Sequence, residues 1–317
     1  MVPRLAAIPG LALFENAPLD RYTRFGVGGP ARILADASTE SALAAAIGII
    51  QETGEPHAVI GGGTNLVVSD DGFPGIVLRY TNAALDVGHG MVTVAAGAML
   101  QDLVDATIAA GLRGLETMTG IPGWVGGAVY GNAGAYGHSL DERIARVRYF
   151  DGAQAREIDR AACEFHYRES IFKRRKDWIV LSAELRLEPA DPSELRATAD
   201  SILKIRNQKY PPSLRCAGSI FKNLMRDRLP PSVQSGIPQR VVREGKVPSA
   251  FFLEQAGAKG LVNGGVRVAD YHANLIYNDG GGTALQIREL IDELKRRVRD
   301  QFAIELEEEV QFIPILR

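Results

Sequence analysis

Short apolar runs enclose three glycines in the segment Val59-Ile60-Gly61-Gly62-Gly63-Thr64-Asn65-Leu66-Val67-Val68. Successive residues without Cβ allow a tight turn between two strands, and such a turn can direct backbone N–H groups at a phosphate. Thr64 and Asn65 would add side-chain donors to it. The pattern therefore predicts strand, glycine turn and strand, with the turn serving either as a phosphate site or only as a tight connection.

A second glycine cluster lies further along the chain. It reads Gly120-Ile121-Pro122-Gly123-Trp124-Val125-Gly126-Gly127-Ala128 and continues through more glycines to Gly137. Glycine at this density exceeds what turns alone require, whereas a backbone that approaches a flat or extended ligand closely needs residues without Cβ. The cluster indicates a ligand-binding segment.

Hydrophobic periodicity outside these clusters switches between strand and helix spacing. Strand-like runs lie at 59–60, 76–78, 91–94, 144–150 and 178–187, and helices are predicted over 38–53, from 100 to the glycine at 111, from about 192, over 249–256 and from the capping box at Thr283. The segment 188–192 is polar and contains proline, so it gives the predicted domain boundary. We predict one domain over residues 1–190 and a second over 191–317, with the last strand either in the second domain or returned to the first.

The composition excludes several classes of protein. With 46% hydrophobic and 23% charged residues the chain is predicted to be globular, and a net charge of −2 provides no basic field for nucleic acid. Cys163 and Cys216 stand far apart, so they build neither a disulfide framework nor a four-ligand zinc site, and no metal site is predicted. No apolar stretch reaches the length of a membrane span, and no signal peptide is recognisable. These observations favour a protein of the cytoplasm.

Other sequence motifs that would indicate a nucleotide site or a hydrolase are incomplete or lie in the wrong structural context. Gly26-Val27-Gly28-Gly29-Pro30-Ala31 satisfies GxGxxA formally, but the residues after it are typical of a strand, whereas a dinucleotide site needs a helix there. Gly245-Lys246 lacks the first glycine and the hydroxyl residue of a P-loop, and neither HExxH nor GxSxG occurs.

Ordered matches from about residue 18 to 313 resemble a known family. In the first half they are Pro18-Leu19, Tyr22-Thr23-Arg24-Phe25, Gly28-Gly29-Pro30-Ala31, Gly61-Gly62-Gly63-Thr64-Asn65-Leu66, Gly120-Ile121-Pro122-Gly123 and Val125-Gly126-Gly127-Ala128. In the second half they are Tyr167-Arg168-Glu169-Ser170, Ala217-Gly218-Ser219-Ile220-Phe221-Lys222-Asn223, Gln255-Ala256-Gly257, Lys259-Gly260, His272-Ala273-Asn274, Leu306 and Glu309-Val310. The set resembles the UDP-N-acetylenolpyruvoylglucosamine reductases (MurB). The short segment after Arg168 and the His272-Ala273-Asn274 motif resemble type II members.

The resemblance implies an α+β fold. An FAD-binding module of the PCMH or vanillyl-alcohol-oxidase type, made of two α+β subdomains, would precede a smaller α+β substrate domain. The cofactor-binding residues would be Gly61, Gly62, Gly63, Thr64, Asn65, Gly120, Ile121, Pro122, Gly123, Gly126 and Gly127. Residues 61–65 would hold the FAD pyrophosphate. NADPH would reduce the bound FAD, which would then reduce the enolpyruvyl ether of a nucleotide sugar in cytoplasmic peptidoglycan precursor synthesis; no membrane and no obligatory protein partner is implied.

The resemblance also assigns three catalytic residues. Hydride delivery to the terminal enol carbon places negative charge on C2 and its carboxylate, so the reaction needs a cation, hydrogen-bond donors and a proton donor. Arg168 would clamp the carboxylate, Ser219 would donate the proton, and Glu309 would polarise or steady the intermediate, for which it would have to be protonated in order to donate. A serine hydroxyl is a weak acid, and its helper is left open between Lys222 and a water molecule. Without the resemblance these three side chains read as a surface cation, a turn residue and a solvated carboxylate.

Substrate-side matches and departures from the family pattern complete the predictions. Tyr136, Arg206, Lys209 and Asn223 match positions that would contact the diphosphate and uridine. Gln311 stands where an arginine often follows the Glu-Val pair, and residues 224–250 read as an insertion that forms either a mobile flap or a longer surface loop.

Two other classes of protein stay open: an FAD-linked oxidase of a small hydroxylated substrate, and a nucleotide-sugar binding protein without flavin chemistry.

Overall fold

The computed structural model describes residues 1–313, which divide into two compact units. The first unit comprises Met1–Ala17, Ala31–Gly62 and Pro74–Gln208. The second comprises Pro18–Pro30, Gly63–Phe73 and the chain from Lys209 onward. Both units are therefore discontinuous in sequence.

Helices and strands are interspersed along the described chain. The α-helices are α1 Val2–Ala6, α2 Glu40–Thr53, α3 Leu100–Ala109, α4 Val125–Tyr130, α5 Ile171–Arg174, α6 Pro192–Lys209, α7 Pro231–Gln234, α8 Ser249–Gln255 and α9 Ala284–Phe302. The strands before α6 are β1 Leu11–Pro18, β2 Pro30–Ala37, β3 His57–Val59, β4 Leu66–Val68, β5 Phe73–Tyr80, β6 Leu85–Val87, β7 Met91–Ala95, β8 Leu112–Arg113, β9 Gly134–Ala135, β10 His138–Ser139, β11 Ile144–Phe150, β12 Ala155–Asp159, β13 Ile179–Arg186 and β14 Glu188–Pro189. Those after it are β15 Leu224–Met225, β16 Lys246–Val247, β17 Val262–Asn263, β18 Val266–Ala269, β19 His272–Asn278 and β20 Gln311–Ile313. The α+β class predicted from the sequence is confirmed.

Two sheets organise the first unit. One has the strand order β1-β2-β5-β3, and the other is an antiparallel sheet in the order β12-β11-β13-β7-β6. The helix α2, predicted over 38–53, begins where the Thr39 hydroxyl accepts a hydrogen bond from the Ala42 backbone N–H, and it ends at Gly54 in the left-handed conformation. Strand β2 begins at Pro30, within the Gly26–Ala31 motif, which confirms that this glycine motif does not open a helix.

The second unit is built around a small antiparallel sheet, β17-β18-β19, and the amphipathic helix α9. Thr283 caps α9 in a capping box with Gln286, as predicted. Asp70, far away in sequence, also accepts hydrogen bonds from the backbone N–H groups of Ala284 and Leu285 at 2.8 and 2.9 Å. Its carboxylate thus satisfies two donors at the positive end of the helix dipole.

The predicted boundary at residue 190 differs from the division in the structure. Helix α6 belongs to the first unit, because Leu195 and Ala199 are buried in that unit's hydrophobic core. The last strand, β20, pairs in parallel with β4, which lies early in the sequence but in the second unit. Periodicity predicts the elements but cannot reveal which core a distant segment joins.

Residues 224–250, predicted as a mobile flap or a longer surface loop, contain short regular elements and buried anchor residues. The segment contains β15, α7 and β16, and three of its apolar side chains, Leu229, Ile237 and Val247, are buried in the core of the second unit. It is therefore an integral part of that unit.

Within residues 1–313 no helix is long and apolar enough to cross a membrane. Across the same residues no group of three or more His, Cys, Asp or Glu side chains is arranged to hold a metal ion.

Candidate active site

The first glycine cluster begins in the first unit. An added Cβ at Gly61 would meet its nearest neighbours, including Trp124 Cβ, only at 4.0 Å, and one at Gly62 would lie 3.1 Å from Trp124 Cδ1. The Trp124 indole in turn has the Arg79 guanidinium 5.4 Å from its ring centroid. Trp124, from the second glycine cluster, thus packs against the turn of the first cluster.

The same cluster continues into the second unit with Gly63, Thr64 and Asn65. Gly63 has φ +63°, and a Cβ there would lie 1.7 Å from the Tyr22 carbonyl oxygen, so only glycine fits. Asn65 Nδ2 donates to the Glu309 carbonyl at 2.9 Å, while the buried Asn65 Oδ1 accepts no hydrogen bond from a described residue. A buried amide oxygen of this kind is suited to accept a donor from a ligand. Thr64 is half-buried.

The second cluster forms a turn and the start of α4. Gly120 (φ +74°) donates its N–H to Gln101 Oε1 at 2.7 Å, and Gly123 accepts from the Leu100 N–H at 2.9 Å. Ile121 is half-buried against the core and Pro122 is exposed. The hydroxyls of Thr117 and Thr119, just before Gly120, are buried and make no hydrogen bond to a described residue. The segment therefore presents unsatisfied polar atoms beside a glycine backbone.

Two adjacent glycines of this cluster differ in their surroundings. A Cβ at Gly126 would lie 2.9 Å from Ala96 Cβ, and its N–H donates to the Ala96 carbonyl, so close packing within the protein requires this glycine. A Cβ at Gly127 would meet no described atom within 4 Å, and the residue is exposed. The protein's own packing therefore explains Gly126 but not Gly127.

Arg168 is fixed on a strained backbone in the first unit. It has φ +58°, and its guanidinium donates to the carbonyls of Gly134 at 2.7 Å and Asn132 at 3.3 Å. Lys173 Nζ donates to the Arg168 carbonyl at 2.7 Å. Tyr136, on the loop that Arg168 holds, is 47% exposed and also has positive φ, at +54°. Left-handed non-glycine residues cost free energy and concentrate at functional sites.

Ser219 and Glu309 come together within the second unit. The Glu309 backbone N–H donates to the carbonyl of Ile220, the neighbour of Ser219, at 2.7 Å. Asn274 holds the same segment, because its side chain bonds both the N–H and the carbonyl of Phe221 at 2.9 Å. Two of the three residues predicted to be catalytic thus lie on paired segments, although they are 90 positions apart in sequence (309 − 219).

The acidic neighbours of Glu309 are committed to ion pairs. Glu307 pairs with Lys222, and Glu308 accepts hydrogen bonds from Arg288 at 2.7 Å and Lys295 at 2.9 Å. Burial tends to raise the pKa of Glu308, but the hydrogen bonds from the two cations outweigh it and hold that pKa below its usual value.

The four substrate-side residues are divided between the units. Arg206, on α6 in the first unit, lies beside Gly120, where an added Cβ would come within 3.2 Å of its Nε. Lys209 and the half-buried Asn223 are in the second unit with Ser219. Gln311, where an arginine was expected, donates its backbone N–H to the Asn65 carbonyl at 3.0 Å.

Sequence reasoning missed Tyr210. Its phenol oxygen lies 3.0 Å from Ser219 Oγ, within hydrogen-bond distance. The only local signal was an aromatic residue before Pro211-Pro212, which does not predict a contact nine positions away.

Comparisons with known proteins show which family the chain is similar to. A model of the "FAD binding domain" matches residues 31–156, and a model of the "UDP-N-acetylenolpyruvoylglucosamine reductase, C-terminal domain" matches residues 210–313. UDP-N-acetylenolpyruvoylglucosamine reductase of Solibacter usitatus is 58% identical over 98% of this chain and 99% of its own, and that of Rubrobacter xylanophilus is 37% identical over 94% of each. The crystal structure of the Thermus caldophilus reductase (MurB) superposes with a TM-score of 0.74 at 29% identity, covering 95% of this chain and 98% of that one.

The fold and the two matched regions define a flavin-binding reductase. Because the similarity to curated relatives extends over nearly the whole chain, the particular family is also established. The chain belongs to the UDP-N-acetylenolpyruvoylglucosamine reductase (MurB) family.

Proposed function

We propose that this protein uses NADPH and FAD to reduce UDP-N-acetylenolpyruvoylglucosamine to UDP-N-acetylmuramate, in peptidoglycan precursor synthesis in the cytoplasm. The observation that carries the proposal is full-length family membership combined with the pairing of the Ser219 and Glu309 segments. The substrate is thus a small nucleotide sugar.

The residues present fit the cofactor. The buried Asn65 Oδ1 and the hydroxyls of Thr117 and Thr119 need partners that the described residues do not supply, and Gly127 opens onto free space. We assign the cofactor contacts to residues 61–65 and to the cluster from Gly120 to Gly127. Bound FAD supplies hydride transfer, and the protein supplies binding, orientation and electrostatics.

The proposed catalytic roles are those that the family resemblance implies, and the chemistry of each residue suits its role. Arg168 binds the enolpyruvyl carboxylate, because its planar guanidinium matches a carboxylate and its bonds to two backbone carbonyls fix its direction. Ser219 donates the proton that C2 receives, and Glu309 steadies the charge that develops on the enolate. We assign Tyr136, Arg206, Lys209 and Asn223 to the diphosphate and uridine of the substrate.

The test is NADPH oxidation by the FAD-loaded protein, measured with and without UDP-N-acetylenolpyruvoylglucosamine, first under anaerobic conditions and then in air. We expect oxidation that depends on the substrate and yields UDP-N-acetylmuramate. If NADPH reduces the flavin but only oxygen reoxidises it, the oxidase alternative replaces this function. If the purified protein binds the nucleotide sugar but no flavin, the binding-protein alternative replaces it.

Adjacent glycines give a paired prediction for the cofactor site. Gly127→Ala is expected to weaken FAD binding about tenfold or more, because the new methyl group enters the space that the backbone leaves open, while the melting temperature of the apo-protein stays within a few degrees. Gly126→Ala is expected to lower apo-protein stability by about 1–3 kcal/mol, because its methyl group meets Ala96. Flavin titration and thermal unfolding measure the two effects. Unchanged FAD affinity in Gly127→Ala would remove this glycine from the proposed site.

A further inference from the structure

The Ser219 hydroxyl is a weak acid that needs help to donate its proton, and the phenol of Tyr210 lies next to it. Ser219 Oγ lies 3.0 Å from the phenol oxygen of Tyr210, and both residues belong to the second unit. Lys222, one helper considered from the sequence, instead pairs its ammonium group with the Glu307 carboxylate. The contact with Tyr210 is therefore the stronger candidate for activating Ser219.

We propose that Tyr210 is a positioning residue that donates its phenol O–H to Ser219 Oγ and so directs the serine proton away from itself and toward the substrate. The proposal rests on the proposed function, in which Ser219 is the proton donor. It adds a residue that none of the sequence motifs contains.

The direction of the hydrogen bond follows from the acidity of the two groups. A phenol, with a pKa near 10, is a stronger acid than an aliphatic alcohol and is therefore the better donor of the pair. If Ser219 is to give its own proton to carbon, its oxygen must accept from another group. Tyr210 can supply that donor at the observed distance.

The Tyr210 ring is held on several sides. It packs against a small cluster that includes Cys216 and Leu275, and the ammonium group of Lys209 lies 5.1 Å from its centroid. The His272 ring meets it edge to face, with centroids 6.0 Å apart. Burial, with the nearby positive charges of Lys209 and Lys259, lowers the pKa of His272 to about 3, so this ring is neutral near pH 7 and adds no positive charge beside the phenol. Packing therefore leaves the phenol little freedom to turn away from Ser219.

The proton balance is complete with these groups and water. The Ser219 O–H bond breaks as the electron pair on substrate C2 forms a C–H bond. The serine oxygen, left negative, takes the proton of Tyr210 along the existing hydrogen bond. The phenolate is stabilised by the Lys209 ammonium and recovers a proton from water before the next turnover.

The experiment separates the two half-reactions in Tyr210→Phe, which keeps the ring and removes only the hydroxyl. Stopped-flow absorbance is expected to show unchanged flavin reduction by NADPH and about tenfold slower flavin reoxidation by UDP-N-acetylenolpyruvoylglucosamine, the size expected from one hydrogen bond. Substrate affinity, measured by titration of the oxidised flavoprotein, should not change. Tyr277→Phe, which removes a phenol packed against the same cluster, is the matched control and should reoxidise at the wild-type rate.

A double-mutant comparison distinguishes positioning from a structural role. If Tyr210 acts through Ser219, then adding Tyr210→Phe to Ser219→Ala causes no further slowing of single-turnover reoxidation. An equal tenfold loss in both backgrounds, or wild-type reoxidation in Tyr210→Phe alone, would overturn the proposal. Failure of the wild-type protein to oxidise NADPH with this substrate would instead reject the proposed function, so the two failures are distinguishable.

Discussion

Ser219→Ala is expected to slow substrate-dependent turnover by about 10²–10⁴-fold, the range of a lost general acid. The hydroxyl is the proposed proton source for C2, and alanine removes it with little change in volume. Flavin reduction by NADPH should continue at the wild-type rate, because that step requires no proton from Ser219. Rapid-mixing measurements of the two half-reactions separate these effects.

Ser213→Ala is a suitable control for this variant, because Ser213 is an exposed serine six positions earlier (219 − 213) in the same unit. It should retain full turnover. If Ser219→Ala reoxidises its flavin at the wild-type rate with the substrate, the proton must come from another group. The proposed role of Ser219, and that of Tyr210 with it, would then be wrong.

Gly63→Ala has the largest expected effect on stability. The substitution places a methyl group at 1.7 Å from the Tyr22 carbonyl oxygen on a backbone with φ +63°, so the turn between β3 and β4 must deform. We expect a loss of roughly 3 kcal/mol or more, which is a large share of the stability of a typical domain. Denaturant unfolding of the apo-protein measures this loss without reference to the flavin.

Gly54→Ala isolates the backbone-strain part of that effect. Gly54 has nearly the same backbone angle, φ +65°, but an added Cβ there would meet no described atom within 4 Å. It should therefore cost only the left-handed strain, about 1–2 kcal/mol. Equal losses in the two variants would contradict the steric explanation for Gly63.

Local features of the fold were predictable because the physical cause lies in neighbouring residues. Thr39 and Gly54 begin and end α2, and Thr283 with Gln286 caps α9, all within a few positions of the helix they define. The glycine clusters indicated ligand-binding segments by their composition, whereas the catalytic residues and the identity of the cofactor came from a family resemblance, since an isolated serine or glutamate carries no local signal of its role.

Features that depend on tertiary contacts were not predictable in the same way. The division in the structure differs from the predicted boundary at residue 190 because α6 packs into the first core through Leu195 and Ala199, and periodicity does not say which core an apolar face will join. The Tyr210–Ser219 contact depends on the path of the chain between them. Likewise, the packing requirement at Gly126 depends on Ala96, which is 30 positions earlier (126 − 96).

The pairing of β20 with β4 has a consequence for synthesis on the ribosome. Asn65 bonds to Glu309, 244 positions later, so the residues around 63–73 are made long before their partners exist. The first unit has its whole sequence once residue 208 has emerged. At about 5–20 residues per second, the remaining hundred or so residues take on the order of 5–20 seconds. During that interval the apolar side chains of Leu66, Val67 and Val68 in the nascent β4 segment lack their final partner strand. We therefore expect a chaperone to bind this chain mainly during that interval.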